Sequence, residues 1–324
     1  MIEVKELSKV YRVNVKQPGL KGALISLVRS EQIEKTALCN VSFHIKEGAA
    51  TACIGENGAG KSTLIKLLIG ILTPTQGSAA VFGRDPKKSG QEYLRRIGVV
   101  FGQKSGLWTD IPVIESYRAA RVLYKVDRKE FDRNFQRVTE LLDLGPVLNS
   151  PPRKLSLGQR MKADIGMVFL HGPQLLYLDE PTIGLDINVK HTIRTFLRHM
   201  NREEGVGIFL TSHDLDDIDE ICDDAIVISK GRLVYSGALD ELKHHYVRER
   251  MVKVVGARLG EIRALLPDVR VTQEGRTTKI VYALEKYSSE QILSAVSRCF
   301  RIEDITIQEP DIDEVVSRIF DGGM

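Results

Sequence analysis

The sequence predicts an α/β protein whose main part is a parallel β-sheet covered by helices on both faces. Short apolar runs such as PQLLYLD, GVGIFLTSH and DAIVISKG have the length and composition of buried strands. Helical segments separate these runs, and this alternation is typical of a parallel sheet between two helical layers. After Gly237 the pattern becomes that of a small α+β unit. We therefore expect two domains, over residues 1–240 and 241–324.

The N-terminal region is predicted to contain strands interrupted by one helix. IEVKELSKVY alternates with a period of two residues and is interpreted as an edge strand. Within 18–35 apolar residues such as Leu20, Leu24 and Leu27 recur at helical spacing, which predicts a short amphipathic helix. Its basic and apolar face fits lipid headgroups, and the same face also fits packing on its own domain.

Strand character resumes in ALCNVSFHIKEG and AATACIG, and KSTLIKLLIGIL is a strongly apolar helix. From about Gly90 to Met167 the pattern is mainly helical, so a helical subdomain is expected over about 90–167. The acidic run DLDDIDEICDD has apolar residues at helical spacing and lacks the glycine turn of a calcium loop. It is therefore predicted to be a helix with a solvated acidic face.

The C-terminal region has the predicted order βαββαβ followed by one more helix. VRVTQEGRTTKIVYAL is expected to form a hairpin that turns at Gly275, and SSEQILSAVSRCF to form a helix. A last helix, DIDEVVSRIF, is predicted after Pro310. This order is that of a split βαβ unit, the ferredoxin-like arrangement.

Composition narrows the classes of function. The formal net charge of +3 does not favour nucleic acid as a partner. The four cysteines are scattered without a C-x-x-C pair, so we expect reduced thiols and a cytosolic protein. The first residues do not resemble a signal peptide, and no run of 18 apolar residues occurs. The chain is therefore not expected to cross a membrane by itself.

A phosphate-binding loop lies between the strand AATACIG and the helix that follows it. The stretch GENGAGKST satisfies the pattern G-x-x-x-x-G-K-[ST] in the strand-to-helix context that the motif requires. Backbone N–H groups and the helix N-terminus favour phosphate, Lys61 can reach the β- and γ-phosphates, and Ser62 can bind Mg²⁺. The candidate nucleotide ligands are Gly55, Glu56, Asn57, Gly58, Ala59, Gly60, Lys61, Ser62 and Thr63.

Two further segments supply polar residues at strand ends. LLYLDEP places Asp179 and Glu180 after a buried strand, where ligands bind in open α/β sheets. Asp179 is a candidate Mg²⁺ ligand, and Glu180 is a candidate general base for an attacking water. His213 follows the strand in FLTSHDL and should lie beside Asp179, where it is predicted to contact the γ-phosphate.

A second candidate anion site occurs in RKLSLGQRMKAD, which begins at Arg153. It has a basic helix start and carries no nucleophile of its own.

Together, in this order, these motifs resemble the ATP-binding cassette (ABC) family over about residues 1–240. The LSxGQ pattern shortly before the aspartate that follows a strand is specific to these cassettes. The resemblance implies the ABC type of P-loop NTPase core, a mixed sheet with an antiparallel β-subdomain and a helical subdomain. It implies ATP and Mg²⁺ as cofactors and ATP hydrolysis as the activity.

The resemblance also assigns roles to individual residues. Tyr11 matches the aromatic residue that stacks on adenine, although the segment 18–35 lengthens its distance from the P-loop. Gln103 matches the glutamine that senses Mg²⁺ and the γ-phosphate. Ser156, Gly158 and Gln159 match the signature loop. Asp186 matches the aspartate that links two sites across a dimer, and His213 matches the switch histidine.

Members of the family pair head to tail, so the signature loop of one cassette completes the ATP site of another. The resemblance therefore implies a second cassette, expected to be an identical chain, together with separate integral-membrane permease subunits and a cytoplasmic position on the inner face of the membrane. The chain looks most like the ATPase subunits of bacterial multidrug, daunorubicin-type and polysaccharide exporters. An importer subunit and a soluble, non-transport ABC protein are the alternatives.

Under this resemblance, Trp108 is a candidate exposed anchor for the permease, and burial of Trp108 in the core is the alternative. The helix predicted over 18–35 is a second candidate permease contact. One departure from the family pattern concerns Leu157, which stands where the signature usually has glycine. Since leucine avoids positive φ, either the backbone there suits any L-residue or the site is impaired.

Overall fold

The computed structural model describes residues 1–14, 32–102, 104–212, 214–246, 249–258 and 260–308. The chain divides into two compact units, Met1–Leu239 and Asp240–Met324. The described strands of the first unit are β1 (Ile2–Asn14), β2 (Gln32–Ile45), β3 (Ala50–Ile54), β4 (Gln76–Val81), β5 (Ile97–Phe101), β6 (Leu175–Asp179), β7 (Gly207–Thr211), β8 (Asp224–Ser229) and β9 (Arg232–Ala238). Its described helices are α1 (Lys61–Leu68), α2 (Gly90–Leu94), α3 (Val113–Tyr124), α4 (Arg128–Leu141), α5 (Leu157–Phe169), α6 (Ile187–Glu204) and α7 (Leu215–Ile221).

A six-stranded sheet in the order β5-β6-β7-β3-β8-β9 forms the centre of the first unit. Its first five strands are parallel, and β9 pairs antiparallel with β8. The parallel sheet expected from the apolar runs is confirmed. The prediction that 90–167 is mainly helical missed β5, whose sequence IGVVF is too short to be distinguished from helix by periodicity.

A three-stranded antiparallel sheet in the order β2-β1-β4 forms the second layer. β1 pairs with strands on both sides, so the expectation that it is an edge strand was wrong. The partner β4 has the sequence QGSAAV, which carries little apolar signal and was not expected to be a strand. The alternating pattern of β1 therefore reflects the difference between the two faces of the sheet. It does not indicate that one edge of the strand is unpaired.

Helix α1 packs into a core shared by residues of both sheets. Its buried face contributes Leu64, Ile65 and Leu68, which cluster with Val4 of β1 and Tyr177 of β6. Because α1 begins at Lys61, this apolar face fixes the position of the P-loop against the central sheet.

Helices α3, α4 and α5 follow β5, and a buried tyrosine joins two of them. The hydroxyl of Tyr117 on α3 donates to the carbonyl oxygen of Ala163 on α5 at 2.7 Å, and the side chain is fully buried. Burial raises the pKa of Tyr117 well above its ordinary value, and the charge of Asp164 adds to this effect. The phenol is therefore a neutral donor throughout the working range of pH.

The second unit contains a four-stranded antiparallel sheet. Its elements are α8 (Leu239–Tyr246, which begins at the last residue of the first unit), β10 (Glu249–Arg258), α9 (Ile262–Leu265), β11 (Arg270–Glu274), β12 (Thr277–Ala283), α10 (Ser289–Cys299) and β13 (Phe300–Gln308). The sheet order β11-β12-β10-β13 is that of the split βαβ unit predicted from the sequence. The hairpin turns at Gly275, which has φ 61°.

Two predicted helices fall on residues outside the described ranges. The C-terminal helix DIDEVVSRIF lies wholly there, and so does most of the helix predicted over 18–35. The last residues of that segment are described, and they begin the strand β2 at Gln32, so the predicted helix extended too far. Among the described helices, none combines the length and apolar composition needed to cross a bilayer.

We expect the Tyr117→Phe substitution to lower the free energy of unfolding by about 1–2 kcal/mol, because it removes a buried hydrogen bond and leaves the volume nearly unchanged. Urea unfolding of the full chain measures the difference. Tyr124→Phe on the same helix is the control, since the Tyr124 ring stacks on His171 and its hydroxyl makes no hydrogen bond within the described ranges. Equal stability losses in the two variants would contradict this account.

Candidate functional site

The P-loop connects β3 to α1 in a conformation that requires glycine. Gly60 has φ 115°, and a methyl group there would lie 2.6 Å from the carbonyl oxygen of Ala37. The loop is closed by backbone hydrogen bonds, from Ala59 N to Glu56 O at 3.0 Å and from Leu64 N to Gly60 O at 2.9 Å. The close approach of the loop to β2 explains why the motif needs glycine at this position.

The ammonium of Lys61 lies inside this loop. Lys61 is only 7% exposed. Its Nζ donates to the carbonyl oxygens of Gly55 and Glu56, the second at 3.2 Å. Because three N–H donors radiate from one nitrogen, the group can bind loop carbonyls and an anion at the same time. A phosphate in the loop would meet a fixed positive charge and the N-terminus of α1.

Asp179 closes the opposite side of the loop. Its Oδ1 accepts from the hydroxyl of Ser62 at 3.2 Å and from the hydroxyl of Thr211 at 2.7 Å. Ser62 and Asp179 thus present two hard oxygen ligands side by side, which is the donor type that Mg²⁺ prefers. The residues present therefore fit a magnesium ion that completes its shell with phosphate and water.

Glu180 follows in a strained backbone conformation. Its φ of 56° lies in the left-handed region, which costs a residue with a Cβ about 1–3 kcal/mol. Its N–H donates to the carbonyl oxygen of Thr211 at 3.0 Å and lies 3.2 Å from the Thr211 hydroxyl. A methyl group at Gly102 would lie 2.0 Å from the carbonyl oxygen of Glu180, so the residue after β5 lies very close to this backbone.

A cavity of 580 Å³ opens above these groups. Tyr11 lines one wall of the cavity, and its hydroxyl lies 3.4 Å from that of Thr63. Lys35 is the cross-strand partner of Tyr11 in the β1–β2 ladder and lines the same wall. The described residues around the cavity are Tyr11, Arg12, Lys35, Thr36, Ala37, Glu56, Asn57, Gly58, Gly60, Lys61, Ser62, Thr63, Asp179, Glu180 and Ile183.

The signature loop begins α5. Ser156 is the N-cap, with its Oγ accepting from Gln159 N at 3.2 Å while Gln159 Oε1 accepts from Ser156 N at 3.0 Å. This capping box orders the helix start. A methyl group at Gly158 would lie 2.9 Å from the side chain of Val189 on α6, so this glycine allows the two helices to pack closely. None of these signature residues is among the described residues that line the P-loop cavity.

Leu157 occupies the first position of α5 with a negative φ. The backbone there suits any L-residue, which favours the first of the two possibilities raised by the sequence. The side chain is 39% exposed and packs near Gly184. Asp186, two residues beyond Gly184, is the N-cap of α6 and accepts from Val189 N at 3.0 Å.

Two predicted site residues, Gln103 and His213, lie outside the described ranges. Their neighbours are described: Gly102 N donates to Asp179 O at 2.8 Å, and Ser212 Oγ donates to Asp217 at 2.8 Å. Trp108 is 56% exposed, which excludes the alternative that it is a core residue.

Several residues around the site were not found from the sequence. Thr211 binds Asp179 through its side chain, and its position at the carboxyl end of β7 was the available signal. The other missed group is an ionic cluster of the buried residues Arg194 and Asp217 with the partly exposed Asp214. In the sequence, Arg194 is one of several charged residues of α6, and Asp214 and Asp217 belong to the acidic run around α7. No motif links these residues.

Comparison with known proteins identifies the family. Residues 38–183 match the ABC transporter family. The chain is 33% identical to the ABC transporter ATP-binding protein NatA of Bacillus subtilis over 206 residues, which cover 64% of this chain and 83% of NatA. It is also 33% identical to the probable multidrug ABC transporter ATP-binding protein YbhF of Escherichia coli, over 63% of this chain and 35% of YbhF.

A third relative aligns over more of the chain. The methionine import ATP-binding protein MetN of Streptomyces coelicolor is 30% identical over 303 residues, which cover 90% of this chain and 83% of MetN. A share this large cannot come from the first unit alone, so the similarity continues into the second unit.

Solved structures have the same fold. The structure of an ATP-binding subunit of an ABC transporter superposes with a TM-score of 0.64 at 28% identity, over 76% of this chain and 92% of that protein. The cassette MJ0796, in a dimeric post-hydrolysis state bound to ADP and Pi, superposes with a TM-score of 0.61 at 22% identity, over 74% of this chain and 99% of that one. With the P-loop, Asp179 and Glu180 assembled around one cavity, this chain belongs to the ABC transporter family and is an ATP-binding cassette ATPase.

Proposed function

We propose that the chain hydrolyses ATP between two cassettes and so drives a transporter whose membrane-spanning part consists of separate subunits. The observation that carries the proposal is the convergence of Lys61, Ser62, Asp179 and Glu180 on one cavity, while the signature loop stands outside it. The second anion-binding helix start therefore remains available to a nucleotide held by another chain.

The contacts to phosphate, adenine and magnesium are assigned to particular residues in this proposal. The backbone of the P-loop and Lys61 bind the β- and γ-phosphates, and Tyr11 stacks on the adenine. Ser62 and Asp179 hold Mg²⁺, which neutralises charge on the phosphate oxygens when it is bound. Glu180 accepts a proton from the water that attacks the γ-phosphate. Gln103 and His213 complete the contacts to Mg²⁺ and the γ-phosphate.

The signature residues act on the nucleotide of a partner chain. Ser156 can donate its hydroxyl hydrogen to a phosphate oxygen while its lone pair accepts from Gln159 N, so the capping box and phosphate binding are compatible. Asp186, at the start of α6, links the two sites. The partner is proposed to be a second copy of this chain, and ATP-driven closure of the pair is the step that moves the permease.

The permease would contact the face that carries Trp108. An exposed tryptophan after β5 offers a large rigid contact surface for a partner protein. We place the chain in the cytoplasm, against the inner face of the cell membrane. Affinity purification from detergent-solubilised membranes should recover an integral-membrane subunit with the chain. Recovery of a ribosomal or DNA-bound partner in its place would contradict the transport assignment.

Export is the proposed direction, supported by the similarity to the multidrug protein YbhF. Import is the second candidate, and the alignment with MetN over both units favours it. The small C-terminal unit therefore does not distinguish the two directions.

Transport assays on cells that lack the chain distinguish export from import. We expect such cells to accumulate more ethidium than the parent strain, because an exporter has lost its ATPase, and to take up labelled methionine normally. Re-expression of the chain should return ethidium accumulation to the parental level and leave methionine uptake unchanged. Reduced methionine uptake with unchanged ethidium accumulation would instead support import.

The Glu180→Gln substitution should leave ATP binding within about twofold and lower kcat at least about 100-fold, because a general base contributes about that much or more. Equilibrium binding and steady-state hydrolysis by the purified chain measure the two effects. Glu140→Gln, at an exposed position on α4, is the matched control and should change neither. Hydrolysis by the Glu180 variant at the wild-type rate would reject the base assignment.

The Leu157→Gly substitution should not increase ATPase activity, since the native backbone already has negative φ. Glycine in the first turn should instead destabilise α5 by up to about 1 kcal/mol. Leu157→Ala preserves helix propensity and serves as the comparison. A large gain in kcat in the glycine variant alone would show that the native signature loop is impaired.

A further inference from the structure

A single buried carboxylate joins the segments that leave β6 and β7. Asp217 on α7 is fully buried, and its Oδ2 accepts hydrogen bonds from the hydroxyl of Thr182 and from the hydroxyl of Ser212, the second at 2.8 Å. Both donors are themselves almost completely buried. Thr182 lies two residues after Glu180, and Ser212 directly follows Thr211 at the end of β7, so Asp217 binds side-chain hydroxyls on two segments that flank the proposed reaction centre.

These bonds close a ring around Glu180. On one side, the Thr211 hydroxyl donates to Asp179 and the Glu180 N–H donates to Thr211 O. On the other side, Asp217 holds Thr182 and Ser212 together. Between Glu180 and Thr182 stands Pro181, which has no N–H to donate. The Thr182 hydroxyl is therefore the first side-chain donor that can anchor the chain after the left-handed Glu180.

Arg194 on α6 fixes the orientation of Asp217. Its Nε donates to Asp217 Oδ1 at 2.6 Å, its Nη2 to Asp214 Oδ1 at 2.9 Å, and its Nη1 to Glu220 Oε1 at 3.2 Å. The guanidinium side chain is only 6% exposed. Since the other oxygen of Asp217 carries both hydroxyl contacts, a carboxylate held by Arg194 can rotate very little.

We propose that Asp217, oriented by Arg194, is a positioning residue for ATP hydrolysis. It holds Thr182 and Ser212 at a fixed separation and thereby sets where the Glu180 carboxylate stands relative to the γ-phosphate. The inference rests on the proposed role of Glu180. A small displacement of a catalytic group is enough to slow the reaction without weakening ATP binding.

A purely structural role makes the opposite prediction for substitutions at Thr182. If the side chain only filled space, Thr182→Val would be tolerated because it preserves the shape, and Thr182→Ser would be harmful because it removes a methyl group. If the hydroxyl positions Glu180, serine should retain turnover and valine should lose it. This pair of variants therefore separates the two roles in one protein and at one position.

Steady-state ATPase assays of the purified full chain provide the test. We expect Thr182→Val to lower kcat by about tenfold or more, with the ATP dissociation constant and KM within about twofold, and Thr182→Ser to stay near the wild-type kcat. Wild-type turnover by a folded Thr182→Val variant would overturn the proposal, and so would a larger loss of turnover in the serine variant than in the valine variant.

A second pair tests Asp217 itself. Asp217→Asn places an amide donor against either Arg194 or the two hydroxyls, so it should also lower kcat by about tenfold or more. Asp216→Asn is the control, because Asp216 lies 3.5 Å from the same guanidinium but is 77% exposed and binds neither hydroxyl. Equal turnover in the two asparagine variants would contradict the proposal.

Measurement of Glu180→Gln in the same assay keeps the two assignments apart. Loss of turnover in that variant together with wild-type turnover in Thr182→Val rejects the positioning role alone. Wild-type turnover in Glu180→Gln rejects the base assignment, and the Thr182 variants then still report whether the ring controls hydrolysis.

Discussion

The parallel register of β5, β6, β7 and β3 places Phe101, Asp179, Thr211 and Cys53 in one row across the central sheet. The chain leaves all four strands at the same edge, one residue or two after that row. The P-loop and the segments that start at Glu180 and Ser212 therefore leave the sheet side by side. Short loops are then enough to bring their polar groups together. Burial raises the pKa of Cys53 to about 12, so this thiol stays neutral and adds no charge near Lys61.

At this edge of the sheet, the strained backbone of Glu180 lies near a cluster of charged side chains formed by Arg194, Asp214 and Asp217. Glu180 occupies the left-handed region, and such strain persists only where surrounding contacts leave no alternative. Burial lowers the pKa of Arg194, but the hydrogen bond and charge of Asp217 more than compensate and raise it. For Asp214, burial likewise acts to raise the pKa, and Lys190 and Arg194 outweigh it and lower the pKa. Both shifts favour the charged forms of Arg194 and Asp214, so the ion pair between them retains a defined geometry at neutral pH.

The sequence predicted the parts of this arrangement that depend on local pattern. The buried strands β3, β6 and β7 and the glycine loop were identified because apolar runs and glycine spacing are properties of a few consecutive residues. β1 was assigned to an edge, and β4 and β5 were missed, because pairing depends on residues far away in the chain. The same reason explains why Thr211 and Asp217 escaped notice, since their partners Asp179 and Thr182 lie about 30 residues away.

The signature loop and the start of α6 form one packed unit within the chain. Gly158 allows α5 to lie against Val189, whose N–H is held by the N-cap Asp186, and Leu157 packs near Gly184. α6 also carries Arg194, which binds Asp217 behind Glu180. A displacement of α5 would therefore press on α6, the helix whose Arg194 binds Asp217. Since close-packed interiors transmit small shifts, this packing connects the signature loop to the carboxylate that binds Thr182 and Ser212.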